Sequence, residues 1–204
     1  MAVTFTPTVV TNPAGAQGSY PLTHTVGHEG MIADLQAYVT RSYVNQSGAA
    51  LPFGVLVMTD NSPTSNDPFA VEIATGATGI VGLTVSSLHF EGASLGSTYT
   101  PNPTPIYSDG RYGYPDKEAV SVLSKGVTWV YTTEAVALGD AVRFWDTANA
   151  PTVAGAFLGR FCKTASTTKT TAITAGARWL SETTAAGLVL LELDLPAATF
   201  AADS

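Results

Sequence analysis

Hydrophobic and polar positions alternate along this chain in short runs, separated by polar segments that carry Gly and Pro. Ala37, Val39, Arg41 and Tyr43 alternate with Tyr38, Thr40, Ser42 and Val44, the pattern of a half-buried strand. Further β-prone runs follow: GVLVM (Gly54–Met58), FAVEIA (Phe69–Ala74), GIVGLTV (Gly79–Val85) and AVSVLSKGVTWVY (Ala119–Tyr131). GDAVRFW (Gly139–Trp145), FLGRFCK (Phe157–Lys163), GARWLS (Gly176–Ser181) and GLVLLELDL (Gly187–Leu195) complete the series. Their Val, Ile, Thr, Phe and Trp content suits pleated, half-buried surfaces. In the last run Leu191, Leu193 and Leu195 alternate with Glu192 and Asp194, which places the acids on the solvent side. Lys125-Gly126 reads as the tight turn of a hairpin. Trp129, Trp145 and Trp179 each lie inside a run, where filling the core is their default role. The pattern predicts an all-β fold, a barrel or sandwich of short antiparallel strands with an extended N-terminal arm.

Three segments depart from that rhythm. Residues 1–30 hold Pro, Gly and Thr with no sustained period and read as the arm; Phe5, Val9, Val10 and Tyr20 are apolar residues it cannot bury by itself. An edge strand packed on its own domain is the other reading of these residues. The β-domain spans 31–196. Within it, residues 91–115 form a long loop rich in Tyr and Pro, and loops of this length commonly bind or assemble. Tyr99, Tyr107, Tyr112 and Tyr114 are the amphipathic side chains that interfaces favour, unless the loop folds back over the sheet as a long hairpin. Residues 197–204 read as a weakly structured tail.

Composition narrows the partners. Nine Lys+Arg against 16 Asp+Glu give a net charge of −7. Nucleic acids and anionic membranes bind through cations that displace counterions, so neither is expected as a direct ligand. A 45% hydrophobic share with only 12% charged residues supports a real core and implies apolar surface covered by partners. Cys162 is the single cysteine; it permits no internal disulfide and sits in an apolar run as a small hydrophobe. The first residues lack the basic and apolar regions of a signal peptide, and no apolar stretch approaches the ~20 residues of a membrane span. Synthesis and retention in a cytosol, unless the product leaves by lysis or assembly, is the corresponding expectation. Without such a signal, the Asn45-Gln46-Ser47 sequon is coincidence.

Candidate chemistry weighs little. Gly92-Ala93-Ser94-Leu95-Gly96 matches a nucleophile elbow, but STYTPNPTP follows where a helix must start, and His24, His28 and His89 all precede Ser94. His24, His28, Glu29 and Asp34 could be drawn as metal ligands only on a helix, which Gly27 and Gly30 disfavour. Gly76, Gly79 and Gly82 lead into a strand and lack the Lys of a phosphate loop. The carboxylates Glu72, Glu91, Glu118, Glu134, Glu182 and Glu192 carry no recognisable acid–base context. The expectation is a non-enzymatic protein with no catalytic residue, metal or cofactor.

EGMIAD (Glu29–Asp34), GVLVM, GIVGLTV, AVSVLSKGVTWVY, ALGDAVRFW, FLGRFCKTA, ARWLS and GLVLLELDLP, in this order and spacing, resemble the structural cement (head decoration) proteins of tailed bacteriophages. The resemblance runs from Gly27 to Pro196; the Tyr/Pro-rich segment is longer than the family pattern. It implies a virion protein on the outer capsid surface that binds an HK97-type major capsid protein lattice and stabilises the mature head, with no catalytic residues. Phe5, Val9, Val10, Tyr20, Tyr99, Tyr107, Tyr112 and Tyr114 are then the candidate capsid or inter-subunit contacts. An acidic protein suits the outside of a head better than its DNA-facing inside. Lattice junctions and reuse of one patch favour a homotrimer, with a dimer as the alternative. The competing function is a phage surface β-module that binds a glycan or host receptor through Tyr99–Tyr114.

Overall fold

The alternation becomes thirteen strands among the described residues of the computed structural model, which are 27–34, 37–60, 68–86, 113–147 and 157–203. They are β1 (Val39–Asn45), β2 (Leu51–Pro52), β3 (Leu56–Thr59), β4 (Ala70–Ile73), β5 (Ile80–Thr84), β6 (Gly113–Tyr114) and β7 (Ala119–Thr132). After these come β8 (Val142–Trp145), β9 (Phe161–Cys162), β10 (Thr170–Ala175), β11 (Ala177–Trp179), β12 (Gly187–Asp194) and β13 (Thr199–Ala202). The regular structure of the described residues is almost all β, a closed barrel with extra strands.

The 14-residue β7 is the spine. Its residues Leu123, Lys125, Thr128 and Thr132 each pair on both sides, which assigns every neighbour to an edge. One edge carries β1, then the Ile32 bridge, then β9; the other carries β5, then β12. The lower half closes a five-stranded ring, β1–β4–β3–β5–β7–β1. The upper half continues through β9, β8 and β10 to β13, and through β12 to β11.

The hairpin expected at Lys125-Gly126 does not form: Ala119 to Thr132 is one continuous strand. Gly126 lets it pass with φ +141, and a Cβ there would stand 2.9 Å from the Cβ of Tyr38. The partner strand slips register opposite, between Val39 and Thr40, so Gly126 marks a bulge and not a reversal.

Two cores follow from this layout. Val57, Val71, Val120 and Val122 pack inside the ring with Leu51, Phe53 and Tyr114. Leu56, Met58, Leu83 and Leu123, on the ring's outer face, join Phe144, Phe161, Trp179, Leu191 and Leu193. Because β3 feeds both clusters, GVLVM lacks alternation: each face meets a core. Trp145 and Trp179 are buried as expected, while Trp129 is half-buried.

The C-terminal tail is also more ordered than its composition predicts. Thr199–Ala202 pairs with β10, and Arg143 Nε donates to Asp203 Oδ2 at 3.1 Å. Sequence reading passed over β10 itself, whose Thr-Thr-Ala-Ile-Thr-Ala lacks a strong apolar signal yet pairs with both β8 and β13.

Candidate docking surface

Residues 27–34 are the first described residues of the chain. They lie along the upper half of β7: Gly30 N donates to Trp129 O at 2.8 Å, Trp129 N to Met31 O at 2.9 Å and Ala33 N to Val127 O at 2.9 Å. Glu29 then meets Arg160, 131 residues away, in a two-pronged pair. Arg160 Nε donates to Glu29 Oε1 at 3.0 Å, and its second prong reaches Oε2 at 2.8 Å. The guanidinium stacks 4.2 Å from the Tyr131 ring centre and 5.0 Å from that of Phe157. Planarity and weak hydration make Arg the residue for such a buried fork. Glycine is required at Gly54, where a Cβ would come 2.5 Å from Glu29 Cγ. At Gly27 a Cβ would stand 2.5 Å from the Trp129 indole, so the chain enters pressed on that ring. Nothing in the sequence pointed to the Glu29–Arg160 pair: the two residues stand in separate runs, EGMIAD and FLGRFCKTA, 131 residues apart, and only the fold brings them together.

At the other end of β7, β1 is half uncovered. Residues Val39 to Ser42 are exposed on both faces. On the edge away from β7, among the described residues, only Val44 and Asn45 pair, with Ala70 and Val71 of β4. Tyr38 and Val39 are 42% and 45% exposed and Phe69 is 58% exposed, its ring 6.3 Å from that of Tyr43. An apolar, half-open strand edge of this kind is a surface that soluble proteins normally cover.

Of the eight candidate contact residues, Phe5, Val9, Val10, Tyr20, Tyr99, Tyr107 and Tyr112 lie outside the described residues. Tyr114 is corrected: it is fully buried, edge-on to Phe53 at 5.0 Å, and its hydroxyl donates to Val85 O. Leu51 pairs with Tyr114 across the small β2–β6 sheet. Tyr114 therefore ties the two ends of the long loop together and is no surface contact. Its apolar ring found a core and its hydroxyl found one acceptor, which a Tyr-rich loop sequence does not reveal.

The remaining polar groups have structural partners. Asn45 is buried, with Nδ2 donating to the carbonyls of Ala49, Tyr114 and Pro115 and Oδ1 accepting from Ser47, so its sequon is closed. His28 Nε2 lies 2.9 Å from Ser86 Oγ, while Glu29 turns to Arg160; His24, His89 and Ser94 lie outside the described residues. Burial opposes the charge of Glu134, but hydrogen bonds from Thr164 Oγ1, Thr164 N and Lys163 N outweigh it and hold the carboxyl below its ordinary range. Burial pushes the Cys162 thiol far up, which leaves it protonated and inert. Two grooves measure about 260 and 270 Å³, one beside Arg178 and Glu192 and one beside Glu134 and Trp145. Both fall short of the roughly 300–1,000 Å³ of small-molecule sites.

Comparison with known proteins bears on the fold and on the family. The solved structure titled "The capsid of Myoviridae Phage XM1" contains a chain that shares the fold. Its TM-score is 0.57 at 16% identity, over 87% of this chain and 96% of that one. No curated protein sequence matches. Residues 16–194 match the family model described as "Structural cement protein (E217 gp24/Pam3 gp6)". A match over that length, across the ring, the spine and the outer sheet, places this chain in the structural cement protein family, as a structural protein of the phage capsid.

Proposed function

We propose that this protein decorates the outer surface of an HK97-type major capsid protein lattice and stabilises the mature head. Family membership over residues 16–194 carries the reading. Two physical features support it. A net charge of −7 favours a position away from packaged DNA, which it would repel. The locked root at Glu29–Arg160 gives residues 1–26 a fixed point of departure, from which they lie extended on a neighbouring subunit or on capsid protein. Many modest contacts repeated over a shell then add up through avidity. The working oligomer is a homotrimer seated at three-fold or quasi-three-fold junctions.

The test is reconstitution. Purified protein is added to expanded heads that lack it, and occupancy is read by cryo-EM together with resistance of the heads to heat. Saturable density on the outside, with later release of DNA on heating, is the expected result. Failure to bind heads, or density on a tail fibre, overturns the proposal. Sedimentation of the free protein checks the trimer separately.

A further inference from the structure

We propose that the outer edge of β1, from Val39 to Tyr43, is a strand-addition site that takes the N-terminal segment of a second copy of this chain. The site rests on the arm reading above and supplies its receptor. Three observations lead to it. First, the edge has no strand partner among the described residues beyond Val44 and Asn45, and both faces of Val39–Ser42 are exposed. An added strand therefore gains backbone hydrogen bonds and covers side chains on either face at once.

Second, the chemistry of residues 1–26 fits the edge. They contain no Asp, Glu, Lys or Arg, in a chain that carries 25 such residues in all. Val3 and Phe5 alternate with Thr4 and Thr6, so a paired strand sets Val3 and Phe5 on the face of Tyr43 and the exposed Phe69 ring. Thr4 and Thr6 then stand beside Thr40 and Ser42. Pairing β1 with another β1 about a two-fold axis at Arg41 would set two guanidinium groups opposite each other, which is unfavourable.

Third, the direction of the chain favours a neighbour. From Ile32, opposite Thr128, to Val39, opposite Lys125, the chain runs along β7 towards β1. Gly27 thus lies on the side of this run away from β1, which favours a neighbour's edge over the chain's own. An extended segment of roughly 20 residues reaches about 65 Å, more than the width of a domain this size, so a neighbour's edge lies within range.

The experiment uses the free full-length protein, so its outcome is independent of head decoration. Thr4→Cys and Ser42→Cys variants are prepared separately, checked for wild-type melting, mixed and mildly oxidised. Cys162 is buried and does not compete. The mixture is expected to give a disulfide-linked pair of chains at roughly tenfold the yield of either variant alone, since pairing raises the local thiol concentration. Thr6→Cys repeats the test one step along the same face. Equal linking of Ser42→Cys by itself shows β1-to-β1 pairing and overturns the proposal. A Thr4→Cys/Ser42→Cys double variant that links only within one chain overturns it too. Absence of any link in both mixtures and in the double variant does the same and leaves the edge to the capsid protein.

Discussion

Trp179 and Trp145 show how much a single side chain carries. Trp179 is 2% exposed, edge-on to Phe161, with its Nε1 donating to Ala141 O. Trp179→Ala and Trp145→Ala are each expected to cost about 3–5 kcal/mol, a large part of a typical domain's stability, as read by denaturant unfolding. An unchanged midpoint would place the ring on the surface. Arg160→Met is expected to cost about 3 kcal/mol or more, because Glu29 keeps a desolvated charge without its partner. Adding Glu29→Leu should recover part of that loss, and strict additivity of the two changes would argue against the pairing. Glu134 makes a pH prediction with a definite sign. Its carboxyl is depressed in the folded chain, so the stabilisation is present above the ordinary glutamate range and is lost as pH falls from that range down through the lowered folded-state pKa. Glu134→Gln should therefore lower stability at neutral pH and lose less than the wild type on going to about pH 4. A parallel drop in both proteins would remove Glu134 from the acid response.

At the scale of elements, β7 and the C-terminal strand decide the shape. β7 belongs to the ring and to the outer sheet at once, so the two halves share a backbone and not merely an interface. β13 closes the far edge of the outer sheet against β10, and Asp203 fastens it by accepting from Arg143 Nε and Thr170 Oγ1. Removal of residues 199–204 is expected to lower the melting temperature and to raise proteolysis at β10, since a half-buried arginine without its carboxylate and an open edge are left behind. If the truncated protein melts like the full chain, the tail is an ornament on a sheet that is stable without it.

For the whole molecule, the arm proposal predicts that the residues before Gly27 serve assembly and not the fold. Described residues from Gly27 onward bury both cores and hold the Glu29–Arg160 pair, whereas the candidate contacts Phe5, Val9, Val10 and Tyr20 precede it. Deleting residues 2–25 should leave thermal unfolding close to wild type while weakening oligomerisation and head occupancy, because ordering such a segment is linked to binding. Sedimentation and a head-binding titration check the two halves of that statement. A truncation that assembles and decorates normally would assign the arm no role in either.

What was legible in the sequence is what depends on local order. Period-two alternation in Gly187–Asp194 set that strand and its buried face, since successive side chains of a strand must point to opposite sides. The order of such runs carried the family resemblance. Tertiary structure alone decided the rest. Gly126 could have turned the chain or bulged within a strand, and the strands flanking β7 on both edges selected the bulge. Tyr114 looked like a surface aromatic until the space beside Phe53 and the Val85 carbonyl took it in. Glu29 found Arg160, and Asp203 found Arg143, across separations no local pattern encodes. A buried charge is stable only where a distant partner arrives with matching geometry, and the fold alone delivers that partner.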